Sequence, residues 1–159
     1  SYEHEWSVVS DLPGFLSLTG RWSAYSGGAH GIYGLESLVW DRKQGRALGG
    51  IDLFRSPAAL DRALGSKLCD ALNRERADRR GQPVDPASGD EFDACPGVAD
   101  AVVLVGSSSK RAFDRIGIYF GPYVAGSYAE GEFELNFPVD AAVLDAVKPE
   151  YRSAFAAKR

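Results

Sequence analysis

From Glu5 to Leu53 the chain offers four strand-like stretches joined by connections too short to cross a sheet, which restricts them to antiparallel pairing. Glu5–Ser10 ends at Asp11, Pro13 and Gly14, a turn composition. In Phe15–Ser26 the even positions Leu16, Leu18, Trp22 and Ala24 alternate with Ser17, Thr19, Arg21 and Ser23, predicting a strand whose even face is buried. Tyr25-Ser-Gly-Gly-Ala-His-Gly31 then turns the chain. Ile32–Trp40 and Arg46–Leu53 flank Asp41-Arg-Lys-Gln-Gly45, which suits a hairpin turn. This first part reads as a β-meander.

Ser56-Pro57 opens a helix, with Ser as N-cap and Pro at the first helical position, and Leu60, Leu64, Leu68 and Leu72 repeat along it to about Arg80. Gly65 within it costs up to ~1 kcal/mol relative to Ala, so close packing against a neighbouring strand is expected there. Gln82–Asp93, with two prolines and four acids, reads as a surface loop. Val98–Val105 and Phe113–Phe120 form a second hairpin that delivers the chain into Gly121-Pro-Tyr-Val-Ala-Gly-Ser-Tyr-Ala-Glu-Gly131. Glycine supplies positive φ and proline fixes φ, so this is a shaped loop. Phe133, Leu135 and Phe137 alternate with Glu132, Glu134 and Asn136 in a half-buried strand; Asp140 caps a helix over Ala141–Val147 and Pro149 starts another through Phe155. The fold class is α+β: an antiparallel sheet built from hairpins, one main helix (about 57–80) packed on it, and short C-terminal helices. A single domain, 1–159, is expected, with room for two lobes, 1–80 and 96–159.

At 45% apolar and 25% charged residues the chain can bury one sizeable core. A net charge of −4 and the lack of a basic stripe argue against a nucleic-acid partner. Arg74, Arg76, Arg79 and Arg80 are interrupted by Glu75 and Asp78 and read as a solvated helix face. No window approaches the ~18 apolar residues of a membrane span. The chain starts at Ser1 and has no Met, so it is expected to be a processed or trimmed piece with any signal or anchor out of view. Cys69 and Cys95 could be a disulfide, two buried thiols or half of a metal site. On a helical projection Cys69 lies away from the centre of the leucine face, which favours a bridge to the Cys95 loop over two free thiols.

Candidate chemistry is thin. His4 and His30 lie apart and the cysteines lack CxxC spacing, so no metal is expected. No dinucleotide fingerprint or P-loop appears, so no cofactor is expected. A nucleophile–base pair of Ser107–Ser109 with His30, or paired carboxylates from Glu130 with Glu132 or Glu134, is conceivable, but nothing in the sequence brings them together. Tyr25, Tyr33, Tyr119, Tyr123 and Tyr128 fall in or beside the two glycine-rich loops, and tyrosine suits surfaces that are both apolar and hydrogen-bonding, sugar rings included.

The order of Tyr25-Ser-Gly-Gly-Ala-His-Gly31, the Asp41…Gly45 hairpin, Gly50-Ile-Asp-Leu-Phe54 entering a helix, and Tyr119-Phe-Gly-Pro-Tyr-Val-Ala-Gly-Ser-Tyr-Ala-Glu-Gly131 before Phe137-Pro138 resembles the RsiV-like domain of unknown function. That family provides the extracytoplasmic part of a lysozyme-sensing anti-sigma factor and accompanies a peptidoglycan deacetylase domain as a non-catalytic neighbour. The resemblance implies an exported α+β domain, periplasmic or extracellular, with no established catalytic residues. Taken with the glycine- and tyrosine-rich loops, it leads to the expectation of a non-enzymatic cell-envelope binding module whose partner is a lysozyme-like protein or peptidoglycan, with His30, Tyr123, Tyr128 and Glu130, in Gly27–Gly31 and Gly121–Gly131, as contacts. The oxidising compartment fits a Cys69–Cys95 bridge. The chain shows neither a sigma-binding segment nor a membrane helix, which sets it apart from the anti-sigma arrangement. The alternatives are an envelope hydrolase or deacetylase using His30 with a carboxylate, and a lipoprotein spacer domain.

Overall fold

The computed structural model describes residues 1–158. Strands β1 (Tyr2–Asp11), β2 (Phe15–Ala24), β3 (Ile32–Asp41) and β4 (Arg46–Leu48) form an antiparallel meander in that order. A second antiparallel sheet holds β5 (Val102–Gly106), β6 (Arg115–Phe120) and β7 (Phe133–Pro138). Between the sheets in sequence lie α1 (Pro57–Leu64) and α2 (Ser66–Arg80); α3 (Ala141–Ala146) and a 3-10 turn at Pro149–Ala154 close the chain. The fold is thus α+β with antiparallel sheets, one main helical segment and short C-terminal helices. No helix is long and apolar enough to cross a membrane.

The leucine repeat and the caps behave as the sequence predicts. Leu60, Leu64, Leu68 and Leu72 are all buried, in one cluster with Ile116, Ile118, Phe120 and Phe133. Ser56 accepts the Ala59 N–H at the start of α1, and Asp140 accepts the Val143 N–H at the start of α3. The helix is not continuous, however. Gly65 takes φ +56° and splits it into α1 and α2. The glycine is there for its backbone angle: a side chain at Gly65 would meet only the Arg62 carbonyl, at 3.9 Å, so no neighbouring strand presses on it. The stretch expected to be a strand over Arg46–Leu53 likewise stops at Leu48 and becomes a 3-10 turn at Gly50–Leu53.

Asp140 carries a pH prediction. The Val143 N–H, then Lys67 at 3.1 Å, lower its pKa from the ordinary carboxyl value. A depressed native pKa stabilises fully above the unfolded-state pKa and is lost as pH falls through the native one. Asp140→Ala is expected to cost about 1 kcal/mol near neutrality. That difference from the wild type should hold down to about pH 4 and shrink as the pH drops further in urea titrations; a difference that stayed constant to about pH 2 would contradict the assignment.

The largest departure concerns β2. Its apolar-looking even face, predicted to be buried, is the outer one, where Leu16, Leu18 and Trp22 are only half-covered beside exposed Tyr2, Trp6, Val8, Ile32 and Trp40. The polar-looking face is turned inward, and Ser17 is completely buried. Its Oγ donates to the Val105 carbonyl at 2.7 Å. Backbone carbonyls lie in the plane of their own sheet, so this bond shows that edge strand β5 lies edge-on against the inner face of the meander. A serine there satisfies a carbonyl that would otherwise be buried without a donor. The same inner face supplies Leu35 and Val39 to apolar contacts.

Standing edge-on, the second sheet has two unlike faces. One, carrying Val103, Val105, Ile116, Ile118, Phe133 and Leu135, is covered by the helices and forms the main core. The other, with Leu104, Gly117, Glu134 and Asn136, meets the inner face of β1 and β2 at an angle and leaves an open cleft of about 410 Å³.

Candidate functional site

The arginines of α2 determine where the 121–131 loop sits. They were expected to be a solvated face; three of them are structural instead. Arg76 is completely buried, with Nε donating to the Ala125 carbonyl at 2.9 Å, Nη2 to the Ala94 carbonyl at 2.8 Å, and Nη1 to Asn73 at 2.9 Å. Arg79 donates to the carbonyls of Glu130 and Glu132 at 2.6 and 2.7 Å, its guanidinium 3.9 Å from the Phe133 ring centroid. Arg80 grips both Glu130 carboxylate oxygens, at 2.6 and 2.9 Å, and also bonds Asp93 and the Phe92 carbonyl. The reason is periodicity: Arg76 and Arg80 continue the i, i+4 series of Leu60, Leu64, Leu68 and Leu72.

Held at this base, the loop projects its tyrosines toward the first glycine-rich turn. His30 stacks on Tyr128 with centroids 3.6 Å apart and planes 12° from parallel. Its Nδ1 lies 2.8 Å from the Gly31 carbonyl and its Nε2 3.0 Å from the Tyr123 hydroxyl. A carbonyl only accepts, so in the neutral ring the proton resides on Nδ1 and Tyr123 donates to Nε2. Tyr33 meets Tyr128 edge-on at 6.1 Å, and Tyr123 lies 5.7 Å from Tyr128. Tyr123 is 51% exposed and its backbone takes φ +70°. A bulky residue in that region is strained, a condition found where surrounding structure imposes a geometry for use. Tyr25 stands at the margin of this cluster, 48% exposed, its hydroxyl donating to the Gly28 carbonyl.

Three of the four residues named as contacts, His30, Tyr123 and Tyr128, therefore come together from loops 93 positions apart in sequence. Glu130 sits at the root of the loop as the partner of Arg80. Gly126 makes room for it: a side chain at that glycine would begin 2.0 Å from Glu130 Oε1. Glu132 is occupied as well, accepting from Arg21 at 3.2 Å and from the Tyr119 hydroxyl. Burial first, and the bond to Glu132 second, push the Tyr119 phenol far above its ordinary pKa; burial and the same carboxylate raise Tyr33. Both stay protonated near neutrality.

Among the described residues no carboxylate bonds His30. Both ring nitrogens of His30 are bonded to neutral oxygens, and Glu130 and Glu132 are neutralised by arginines. Ser107 and Ser109 bond one another and the backbone of their own turn, while Ser108 bonds Asp114. Among the described residues no three His, Cys, Asp or Glu side chains are grouped to hold a metal. What the site offers is a rigid aromatic surface with phenol and imidazole edges. Cys69 and Cys95, from α2 and the following excursion, are joined in a disulfide.

No protein-family model and no curated protein matches the sequence. Among solved structures the chain is similar to a DUF3298-family member from Bacteroides fragilis, with a TM-score of 0.57 and 22% identity over 86% of this chain and 50% of that one. It is also similar to a DUF3298-family protein from Pseudomonas aeruginosa PAO1, with a TM-score of 0.56 and 19% identity over 99% of this chain and 65% of that one. The chain thus spans half to about two thirds of the length of these structures. The likeness shows that the chain has the fold of DUF3298-family proteins.

Proposed function

We propose that this is a non-catalytic binding module of the bacterial cell envelope, exported, and that it recognises a lysozyme-type protein through the cluster of His30, Tyr123 and Tyr128. The observation that carries the reading is the exposed aromatic cluster itself: two distant glycine-rich loops are fixed together to present ring faces and hydroxyls. Rigid tyrosines give large contact area at low entropic cost and are frequent interface anchors. The net charge of −4 favours a basic partner and a salt-sensitive encounter. The Cys69–Cys95 bridge supports an oxidising compartment. The resemblance to the RsiV-like family, joined by the DUF3298 likeness in fold, supplies the choice of lysozyme as partner. Peptidoglycan glycan is the other ligand these rings suit.

The test is calorimetric titration against hen-type lysozyme and soluble peptidoglycan fragments at low and physiological salt. Lysozyme is expected to bind, more weakly at higher salt. Tyr123→Ala and Tyr128→Ala should each weaken binding about 30-fold, the ~2 kcal/mol of an interface hot spot. Tyr123→Ala should leave the melting temperature nearly unchanged, since the side chain is half-exposed. Binding that both variants leave intact would remove the site from consideration, and glycan binding without lysozyme binding would reassign the partner.

A further inference from the structure

The cleft between the two sheets is separate from the aromatic cluster and has no part in the reading above. One wall is the inner face of the meander, with the Ser7 and Thr19 hydroxyls; the other is the outer face of the second sheet, with Arg115, Gly117, Glu134 and Asn136. Its volume, about 410 Å³, lies in the range of ligand sites. Three observations define what would fit.

The first is charge. Arg21 at one edge is neutralised by Glu132, whereas Arg115 and Glu134 form no ion pair among the described residues. The second is spacing. Arg115 pairs with Pro138 across β6 and β7, and Glu134 pairs with Tyr119, so the two charges stand on one face four residues apart along the strands. At about 3.4 Å per residue that is roughly 14 Å. Asn136, in register with Gly117, lies midway and presents an amide that both donates and accepts.

The third is Gly117. It occupies the central strand of its sheet, where glycine costs roughly 0.5–1 kcal/mol relative to alanine. Its φ is not positive, so its backbone angle does not call for glycine; a Cβ there would lie 3.3 Å from the Leu104 Cβ and 3.4 Å from Asn136 Oδ1, so contact with Leu104 favours a small residue and the bare backbone is left facing the cleft. A missing side chain in a strand facing a cleft leaves space for another backbone to approach closely. The residues lining the cleft include no aromatic ring, so it lacks the stacking platform a sugar would use.

We infer that this cleft binds a short extended peptide about five residues long, with an acidic group seated at Arg115, a basic group at Glu134, and the peptide backbone lying over Gly117 beside Asn136.

The test uses end-blocked pentapeptides, Lys-Ala-Ala-Ala-Glu and Glu-Ala-Ala-Ala-Lys, whose end charges are about 14 Å apart when extended. Controls are Gln-Ala-Ala-Ala-Gln and a chitin trisaccharide. The readout is the backbone amide NMR shifts of Gly106, Gly117 and Asn136. One of the charged peptides should shift these amides saturably, and Arg115→Ala should weaken that binding at least tenfold. Gly117→Val should abolish it by filling the cleft, and Arg115→Ala, which adds no atoms, keeps the test independent of any strain that the valine Cβ meets at Leu104. Tyr123→Ala should have no effect, which separates this site from the aromatic one. No saturable shift with either charged peptide at about ten millimolar would overturn the inference. So would equal binding of the neutral peptide, or shifts caused by the saccharide alone.

Discussion

Arg76→Met is expected to destabilise the protein by about 2–4 kcal/mol, among the largest effects available from one side chain. The guanidinium is fully buried and donates to three oxygens from three segments: Ala125 in the glycine-rich loop, Ala94 in the long excursion, and Asn73 on α2 itself. Burial first, and the neighbouring Arg80 second, lower its pKa, while the carboxylates of Asp93 and Glu130 oppose that shift. An arginine starts so high that it keeps its charge regardless. Methionine fills much of the volume but strands the buried Ala125 carbonyl without a donor, at about 1–3 kcal/mol, and loses the charged bonds to Asn73 and to the carbonyl of the exposed Ala94. Arg76→Lys should recover only part of the loss, since a single ammonium cannot reproduce a planar fork aimed at separate oxygens. Urea unfolding measures both variants. A loss below about 1 kcal/mol for the methionine variant would show that the three bonds contribute little net stability.

The same substitution should loosen the aromatic cluster, because Ala125 lies between Tyr123 and Tyr128 in the loop that Arg76 holds. Stability and the proposed binding surface are therefore linked through α2. Its first two turns anchor leucines in the core, and its last two place Arg76, Arg79 and Arg80 against the loop root.

What the sequence made legible was local. Short connections announced the hairpins, Ser56-Pro57 and Asp140 announced helix starts, and the alternation of Phe133, Leu135 and Phe137 named the buried face of β7. What it hid was decided by partners distant in the chain. Alternation in β2 identified two faces but not which one is inward, because that depends on β5 being laid against Ser17, 88 residues away. The arginines of α2 looked solvated because acids interleave them. The usable signal was that Arg76 falls on the next step of the leucine repeat, where a solvated side chain has no place. The two glycine-rich loops were readable as shaped, yet their meeting at His30 and Tyr123 follows only from how the two sheets dock. The cleft had no sequence signature beyond Gly117, which interrupts an otherwise apolar strand.

Removing the disulfide should have an effect of comparable size. Cys69 on α2 and Cys95 close a loop with a sequence separation of 26, their Cα atoms 5.6 Å apart. Chain entropy alone assigns such a loop about 3.5 kcal/mol. For a chain of this size that corresponds to a melting temperature lower by roughly 7–14 °C in the Cys69→Ser, Cys95→Ser double variant. Reductant should lower the wild-type melting temperature by a similar amount and leave the double variant unmoved, which separates loss of the bridge from any effect of serine. The bridge and Arg76 act on one segment, since the Ala94 carbonyl that Arg76 bonds is the neighbour of Cys95. Once the tether is gone, ordering that segment falls to Arg76 and Arg80, with the Val98 N–H bond to Asp61 at its far end. The two losses should thus be non-additive in a double-mutant cycle, by at least about 0.5 kcal/mol. Additive losses would mean that the excursion is ordered independently of its tether, and an unmoved wild-type melting temperature under reduction would mean that the bridge does not constrain the unfolded chain.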